Sequence, residues 1–252
     1  MTVELISFRS NLTAKKRLEL MISIVNQSQA DLIVFCGHTL KDRSDLDALK
    51  CRIENKNTFV LFEIKQCEES DFLYLKNCLY TIADGIVHNM YTNQFFATSN
   101  EIEGNESLCE RFINELETRR QFNVKGKNCL VLQCGEINII KNIQKEGNKP
   151  IFRIQERLDL KERFDNLLKD TQIILNPIHT PMGNQGKMKK RREYLSANNK
   201  YYFSVSQSGD FSMESRCLQY SFYDGGEIWE SDIGSTKEYQ RRIFNCYWPK
   251  PC

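Results

Sequence analysis

Ten cysteines stand in this chain, at positions 36, 51, 67, 78, 109, 129, 134, 217, 246 and 252. A cysteine reacts as its thiolate, and a free thiol has a pKa of about 8.5, so a reactive one needs a base or a cation beside it. Cys134 has the most suggestive setting. It closes the apolar run Cys129-Leu-Val-Leu-Gln-Cys134 and is followed by Gly135-Glu136. A strand running into a sharp turn would expose that sulfur at a sheet edge. No two cysteines have Cys-x2-Cys or Cys-x3-Cys spacing, so a zinc site has no local support. The N-terminal residues have neither a basic region nor a long apolar stretch, so no secretory leader and no disulfide framework are expected. Most of the ten cysteines are expected to be small buried apolar residues.

Three other groupings could do chemistry. Phe62-Glu63-Ile64-Lys65 ends an apolar run as Glu-x-Lys. With an upstream acid such as Asp45, Asp47 or Glu54, that pattern would suit a Mg²⁺-dependent nuclease, the acids holding the ion and Lys65 assisting the water. Asn176-Pro-Ile-His-Thr-Pro-Met-Gly183 follows an apolar run. Ligands of α/β sheets sit outside strand ends, which makes Asn176 and His179 candidates to line a pocket. Lys187-Met-Lys-Lys-Arg-Arg192 is the densest basic run and reads first as a solvated helix face, with phosphate contact as the alternative. Gly104, Gly126 and Gly135 form no phosphate-loop spacing. The net charge is +2, which removes any global electrostatic case for nucleic acid. No cofactor and no resident metal are expected. No apolar run reaches the 18 or more residues of a membrane helix, and a cytoplasmic location is expected.

The elements that would position these residues alternate along the chain. Val3–Phe8, Asp31–Phe35, Thr58–Lys65, Cys129–Cys134, Thr171–Leu175 and Tyr201–Val205 read as strands, several apolar on both faces. Asn11 or Thr13 can cap a helix bearing Leu18, Met21, Ile22 and Val25. Helices are also expected over Glu106–Arg120, Asp159–Leu168 and Lys187–Ala197. Asp84-Gly85 joins Leu73–Ile82 to Ile86–Tyr91 as a hairpin, and Asp224-Gly-Gly226 joins Cys217–Phe222 to Glu227–Trp229. The class is α/β with a mixed sheet. With 40% apolar and 27% charged residues and no low-complexity linker, one domain spanning 1–252 is expected.

The order of these segments resembles that of the nitrilase superfamily, the carbon–nitrogen hydrolases. Asp31-Leu-Ile-Val-Phe-Cys-Gly37 looks like the family's "aDLIvfPE" strand, and Asn57–Phe62 like the strand after it. Lys76-Asn77-Cys78 resembles "yNs", Asp84–Val87 resembles "dG.iv", and Tyr91-Thr-Asn93 sits where "YrK" stands. Gly126–Glu136 looks like "Gk.gvlICyE", and Thr171–Pro177 like "ad.ilnPs". The basic helix and the strand from Tyr201 complete the series, which covers roughly residues 3 to 230. The resemblance implies a four-layer α-β-β-α sandwich, commonly a homodimer. It also implies a Cys-Glu-Lys site: the thiolate attacks an amide or nitrile carbon, Glu is the general base, and Lys steadies the oxyanion.

Cys134 falls in the nucleophile slot. The other two slots depart from the pattern. Cys36-Gly37 stands where the Glu belongs, and no acid lies between Asp31 and Asp42. Asn93 stands where the Lys belongs, and no Lys lies between Lys76 and Lys125. The resemblance therefore implies a protein that keeps Cys134 but has little or no ordinary amidase or nitrilase turnover. Such a protein would bind a small amide or nitrile ligand, or a protein partner, with Asn93 facing the site. The alternative is an active amidohydrolase rebuilt around Cys134, with His38, directly after the empty Glu slot, as its base. Glu136 matches an acidic family position, although it cannot easily reach back along one strand to Cys134.

Overall fold

The computed structural model describes residues 1–70, 73–183, 186–207, 218–229 and 234–248. Cys217, Cys252 and the last residues of the C-terminal tail lie outside them.

The first half of the chain runs β1 (Thr2–Phe8), α1 (Ala14–Gln27), β2 (Leu32–Phe35), β3 (Leu40–Asp42), α2 (Asp45–Arg52), β4 (Phe59–Ser70), β5 (Leu73–Ala83) and β6 (Ile86–Asn93). Thr13 caps α1, its side chain accepting from the Lys16 N–H at 3.2 Å. Next come α3 (Ser99–Ile102), α4 (Glu106–Arg119), β7 (Gln121–Val124), β8 (Lys127–Val131), a 3₁₀ stretch (Cys134–Ile139), β9 (Ile140–Ile143) and β10 (Lys149–Phe152). The chain closes with α5 (Leu158–Asp170), β11 (Ile173–Ile178), α6 (Lys187–Ser196), β12 (Tyr201–Ser206), β13 (Gln219–Tyr223), β14 (Gly226–Glu227) and β15 (Tyr239–Asn245).

Among the described residues the strands form two mixed sheets and a two-stranded β9–β10 ribbon. One sheet has the order β15-β1-β2-β4-β5-β6, with β3 also paired to β4, and the other has β14-β13-β12-β11-β8-β7. The parallel pairs β1–β2–β4 and β8–β11–β12 form their centres. One apolar cluster joins Leu18, Met21 and Val25 of α1 and Leu49 of α2 to the first sheet, and joins that sheet to Cys129, Val131, Leu175 and Phe203 of the second. A second cluster packs α4, α5 and α6 on the second sheet's other face through Phe112, Leu116, Phe164, Leu195, Ile174 and Tyr202. The layers are helix, sheet, sheet, helix, as the resemblance implies. Strands covered on both faces must be apolar throughout, which explains runs such as Leu32–Phe35.

Both expected hairpins form, with positive φ at Asp84 and Gly85 and at Asp224 and Gly225. Three expectations shift. The run ending in Cys134 leaves the sheet at Val131. The strand expected to stop at Leu175 continues through Asn176 and Pro177 to Ile178. Its pairing with β8 ends at Leu175↔Val131, so the missing N–H of Pro177 withdraws no bond from β8. A strand beyond those expected, β15, pairs antiparallel with β1 from Thr2↔Asn245 to Phe8↔Tyr239 and closes that edge with the C-terminal part of the chain.

Candidate active site

Cys134 sits where β8 has left its sheet. Leu132 still donates to the Leu175 carbonyl at 2.9 Å, Gln133 is extended, and Cys134 turns sharply with φ 26° into the 3₁₀ stretch. A positive φ at a cysteine costs on the order of 1–3 kcal/mol and persists only where the surroundings enforce it. They do so here. Asn176, fully buried, donates Nδ2 to the Leu132 carbonyl at 2.5 Å and to the Cys134 carbonyl at 3.3 Å, and accepts from the Tyr202 hydroxyl at 2.8 Å. The backbone of Ala97 presses on the next residue: a Cβ on Gly135 would lie 1.8 Å from the Ala97 carbonyl oxygen. The cysteine thus projects from a tight strand-to-helix turn, the placement that exposes a nucleophile at the end of a sheet.

Glu136 anchors the same turn. Its carboxylate accepts from the Gln133 N–H at 2.7 Å, from the Phe95 N–H at 2.8 Å, and from Arg120 at 3.1 and 3.2 Å. Both side chains are fully buried. Arg120 also donates to Thr92 Oγ1 and to the Asn93 carbonyl. With both oxygens occupied, Glu136 holds the turn in place. Asn93 donates its amide to the Gln94 carbonyl at 3.3 Å, and its own carbonyl accepts from Arg120.

The ends of β2 and β11 meet above Cys134. Gly37 donates to the Ile178 carbonyl at 3.1 Å, and a Cβ on Gly37 would lie 2.5 Å from His179 Cδ2. This glycine lets two loops from different sheets touch, and it places His38 against His179. The rings stack with centroids 3.6 Å apart and 14° between planes.

Glu63, in the middle of β4 and fully buried, lies beneath both histidines. Its Oε1 is 2.7 Å from His179 Nε2 and accepts from the His38 N–H at 2.7 Å; Oε2 accepts from Gln133 Nε2 at 2.7 Å. Burial pushes the Glu63 carboxyl up, but the His179 hydrogen bond and the neighbouring positive charge outweigh this and hold it below the ordinary carboxylate range. Burial pulls His179 down, yet hydrogen bonds to Cys134 and Glu63 raise it to about 10. Burial, reinforced by the charge on His179, pulls His38 down to about 4. His179 is therefore an imidazolium at neutral pH and His38 a neutral ring. Glu63 holds Nε2 of His179, which leaves Nδ1 as the nitrogen available to the Cys134 thiol.

The structure thus joins three residues that the sequence kept apart: Cys134, His179 and Glu63. His38 stands in the same cluster, but its Nε2 faces Asn77 Oδ1 at 2.9 Å. The signal for Glu63 was present in the sequence, since it is a lone carboxylate inside the otherwise apolar run Phe59–Ile64. Protein donors hold both of its oxygens, and Lys65 is exposed, so the Glu-x-Lys pair does not present a Mg²⁺ site. His38, Glu63 and His179 have ligand atoms within 4.8 Å of one another, close enough to consider for a metal ion. The stacking opposes it: two nearly parallel rings 3.6 Å apart cannot both hold one ion in plane at about 2.0–2.1 Å. The basic run is also partly structural. Arg191 bonds Asn138 and Asn142, and Arg192 grips the Met182 and Gly183 carbonyls of the loop that carries His179.

The fold is that of the carbon–nitrogen hydrolases. Neither a protein-family model nor a curated relative matches the sequence. Solved structures do match over nearly the whole chain. A CN-hydrolase superfamily protein from Xanthomonas campestris, XC1258, solved with an arsenic adduct in its active site, superposes with TM-score 0.56 at 10% identity, over 97% of this chain and 90% of its own. A mutant of an amidase from Nesterenkonia sp. AN1, with the acetamide moiety of fluoroacetamide added at its active-site cysteine, gives 0.58 at 10% identity over the same shares. A glutamine-dependent NAD(+) synthetase from Cytophaga hutchinsonii gives 0.56 at 11% identity, over 97% of this chain but 42% of its own. Among the described residues, no helix is long and apolar enough to cross a membrane.

Proposed function

We propose that this protein is a thiol-dependent hydrolase of carbon–nitrogen bonds, with Cys134 as nucleophile, His179 as proton carrier and Glu63 as the anion that orients and charges His179. The observation that carries this reading is one imidazole held between a buried carboxylate, at 2.7 Å, and the thiol of Cys134. A nucleophile, a base beside it and a third group orienting the base form the general constellation for covalent acyl transfer. The fold supports this substrate class, since solved structures that share it include an amidase with the acetamide moiety of fluoroacetamide at its active-site cysteine.

A cysteine attacks as its thiolate, and the charged His179 stands beside that sulfur. The sulfur of Cys134 bonds to the acyl carbon as the carbonyl electron pair moves to oxygen. When that pair returns, the C–N bond breaks, and His179 gives its Nδ1 proton to the leaving nitrogen. Water then attacks the thioester and passes a proton to the now neutral His179. The C–S bond breaks, leaving a carboxylic acid and the restored thiolate–imidazolium pair. Glu63 remains an anion throughout and favours each step that recharges His179.

The test is fluoroacetamide treatment followed by site mapping, alongside ammonia release from a panel of small amides. A single adduct on Cys134, lost in Cys134→Ala and slowed roughly 10²-fold or more in His179→Ala, is expected, the size being that of a general base's contribution. Labelling spread over several cysteines, with no ammonia from any amide, would overturn the reading. An adduct on Cys134 without turnover would instead favour a ligand-binding protein.

A further inference from the structure

We infer that His38 is a positioning residue: a neutral ring, locked with its proton on Nε2 by a relay of amides, that lies flat on His179 and fixes the plane of that ring between Glu63 and Cys134. The inference deepens the function proposed above and rests on it for the role of His179.

The relay starts from a group that can only accept. The Phe96 carbonyl takes a hydrogen bond from Gln94 Nε2 at 3.0 Å, so Gln94 presents its oxygen inward. That Oε1 accepts from Asn77 Nδ2 at 2.7 Å, so Asn77 presents Oδ1 to His38. At 2.9 Å, Asn77 Oδ1 requires a proton on His38 Nε2. A main-chain carbonyl two residues beyond Gln94 thus decides a histidine tautomer at the end of β2. His38 is also pinned at its backbone: its N–H donates to Glu63 Oε1 at 2.7 Å, and its carbonyl accepts from buried Arg17 at 2.8 Å. Its φ of 56° lies in the left-handed region, which histidine enters more readily than most residues.

Neutrality matters because of what faces the ring. His179 stacks on it at 3.6 Å, Glu63 Oε1 lies 3.8 Å from its Nε2, Asn77 caps that nitrogen, and the positive charge of Lys65 also acts on it. A second proton on His38 would place two imidazolium faces together, with one carboxylate between them. A neutral ring instead offers its π face to the charged one. It also blocks rotation of His179 about its side-chain bonds.

The chain has three histidines, at 38, 88 and 179, so ¹⁵N-histidine NMR of the whole protein resolves each one. The expected result at neutral pH is His38 with its single proton on Nε2 and His179 with both nitrogens protonated. Asn77→Asp offers a carboxylate to the same nitrogen and should convert His38 to its doubly protonated form at pH 7. A wild-type His38 protonated on Nδ1, or on both nitrogens, overturns the relay, as does an Asn77→Asp spectrum unchanged from wild type. The positioning role is read by Cys134 alkylation in His38→Asn, which suits a left-handed backbone but removes the ring. A slowing of roughly tenfold is expected, within the 10²-fold that a misplacement of about 1 Å can cost. A rate equal to wild type in a variant that still melts cooperatively overturns it. Failure of wild-type Cys134 to label would instead count against the hydrolase reading and would leave the tautomer result standing.

Discussion

Glu63 and His179 lie 116 residues apart in sequence and 2.7 Å apart in space. One comes from the middle of a strand in the first sheet, the other from just past the end of a strand in the second. Their contact bridges the two sheets of the sandwich.

Removing that contact should be costly in two distinct ways. Glu63→Leu leaves the His38 N–H and a buried imidazolium without their acceptor, and leaves the Gln133 amide only the Asn77 carbonyl. A loss of about 3–5 kcal/mol is expected, measured by urea unfolding. Glu63→Gln keeps the shape and some of the hydrogen bonds but not the charge. It should lose less stability and still slow Cys134 alkylation at pH 7, because His179 is no longer held as a cation. Equal alkylation rates in Glu63→Gln and wild type would remove Glu63 from the site.

The histidines set opposite limits on stability with pH. His179 is raised from 6.5 to about 10 by its partners. Its contribution is therefore full below about pH 6.5 and fades as pH climbs through 10. His38 is lowered from 6.5 to about 4. Its contribution is full above about pH 6.5 and fades as pH falls through 4, and Glu63, also held below the ordinary carboxylate range, adds to the loss on the acid side. The urea midpoint should sag at both ends, and His179→Gln should flatten the alkaline side selectively.

Gly135→Ala tests the turn that carries Cys134. The new Cβ meets the backbone of Ala97 at 1.8 Å, and a backbone carbonyl cannot rotate away as a flexible side chain would. Overpacking of this kind costs about 1–3 kcal/mol or more. A melting temperature within error of wild type would show that the turn and the Ala97 segment are not held together.

Arg120 and Glu136 form a second buried pair behind Cys134. Arg120→Met should destabilise the protein by about 3–5 kcal/mol, because Glu136 is left buried without its counter-charge. Adding Glu136→Leu should not restore the loss, since the Gln133 and Phe95 N–H groups would then lack their acceptor. A double variant as stable as wild type would mean that the carboxylate does not hold the turn.

Much of the fold was legible in the sequence because its elements are set locally. A strand covered on both faces must be apolar along its length, as Leu32–Phe35 is. Asp84-Gly85 and Asp224-Gly225 have the positive-φ preference that a tight hairpin needs. Cys134 showed itself by ending such a run at a glycine. Glu63 was legible as an oddity, a carboxylate in an apolar strand, though its partner was not. In the linear pattern His38 adjoins the empty slot and therefore reads as the base. Only the packing of two sheets decided that the ring of His179 meets Glu63 while that of His38 turns to Asn77. That choice depends on Gly37 admitting a second backbone, on a carboxylate buried beneath both rings, and on an amide relay from Phe96. Spacing along one chain records short-range geometry; which of two imidazoles is charged depends on neighbours that tertiary structure alone brings within hydrogen-bonding distance.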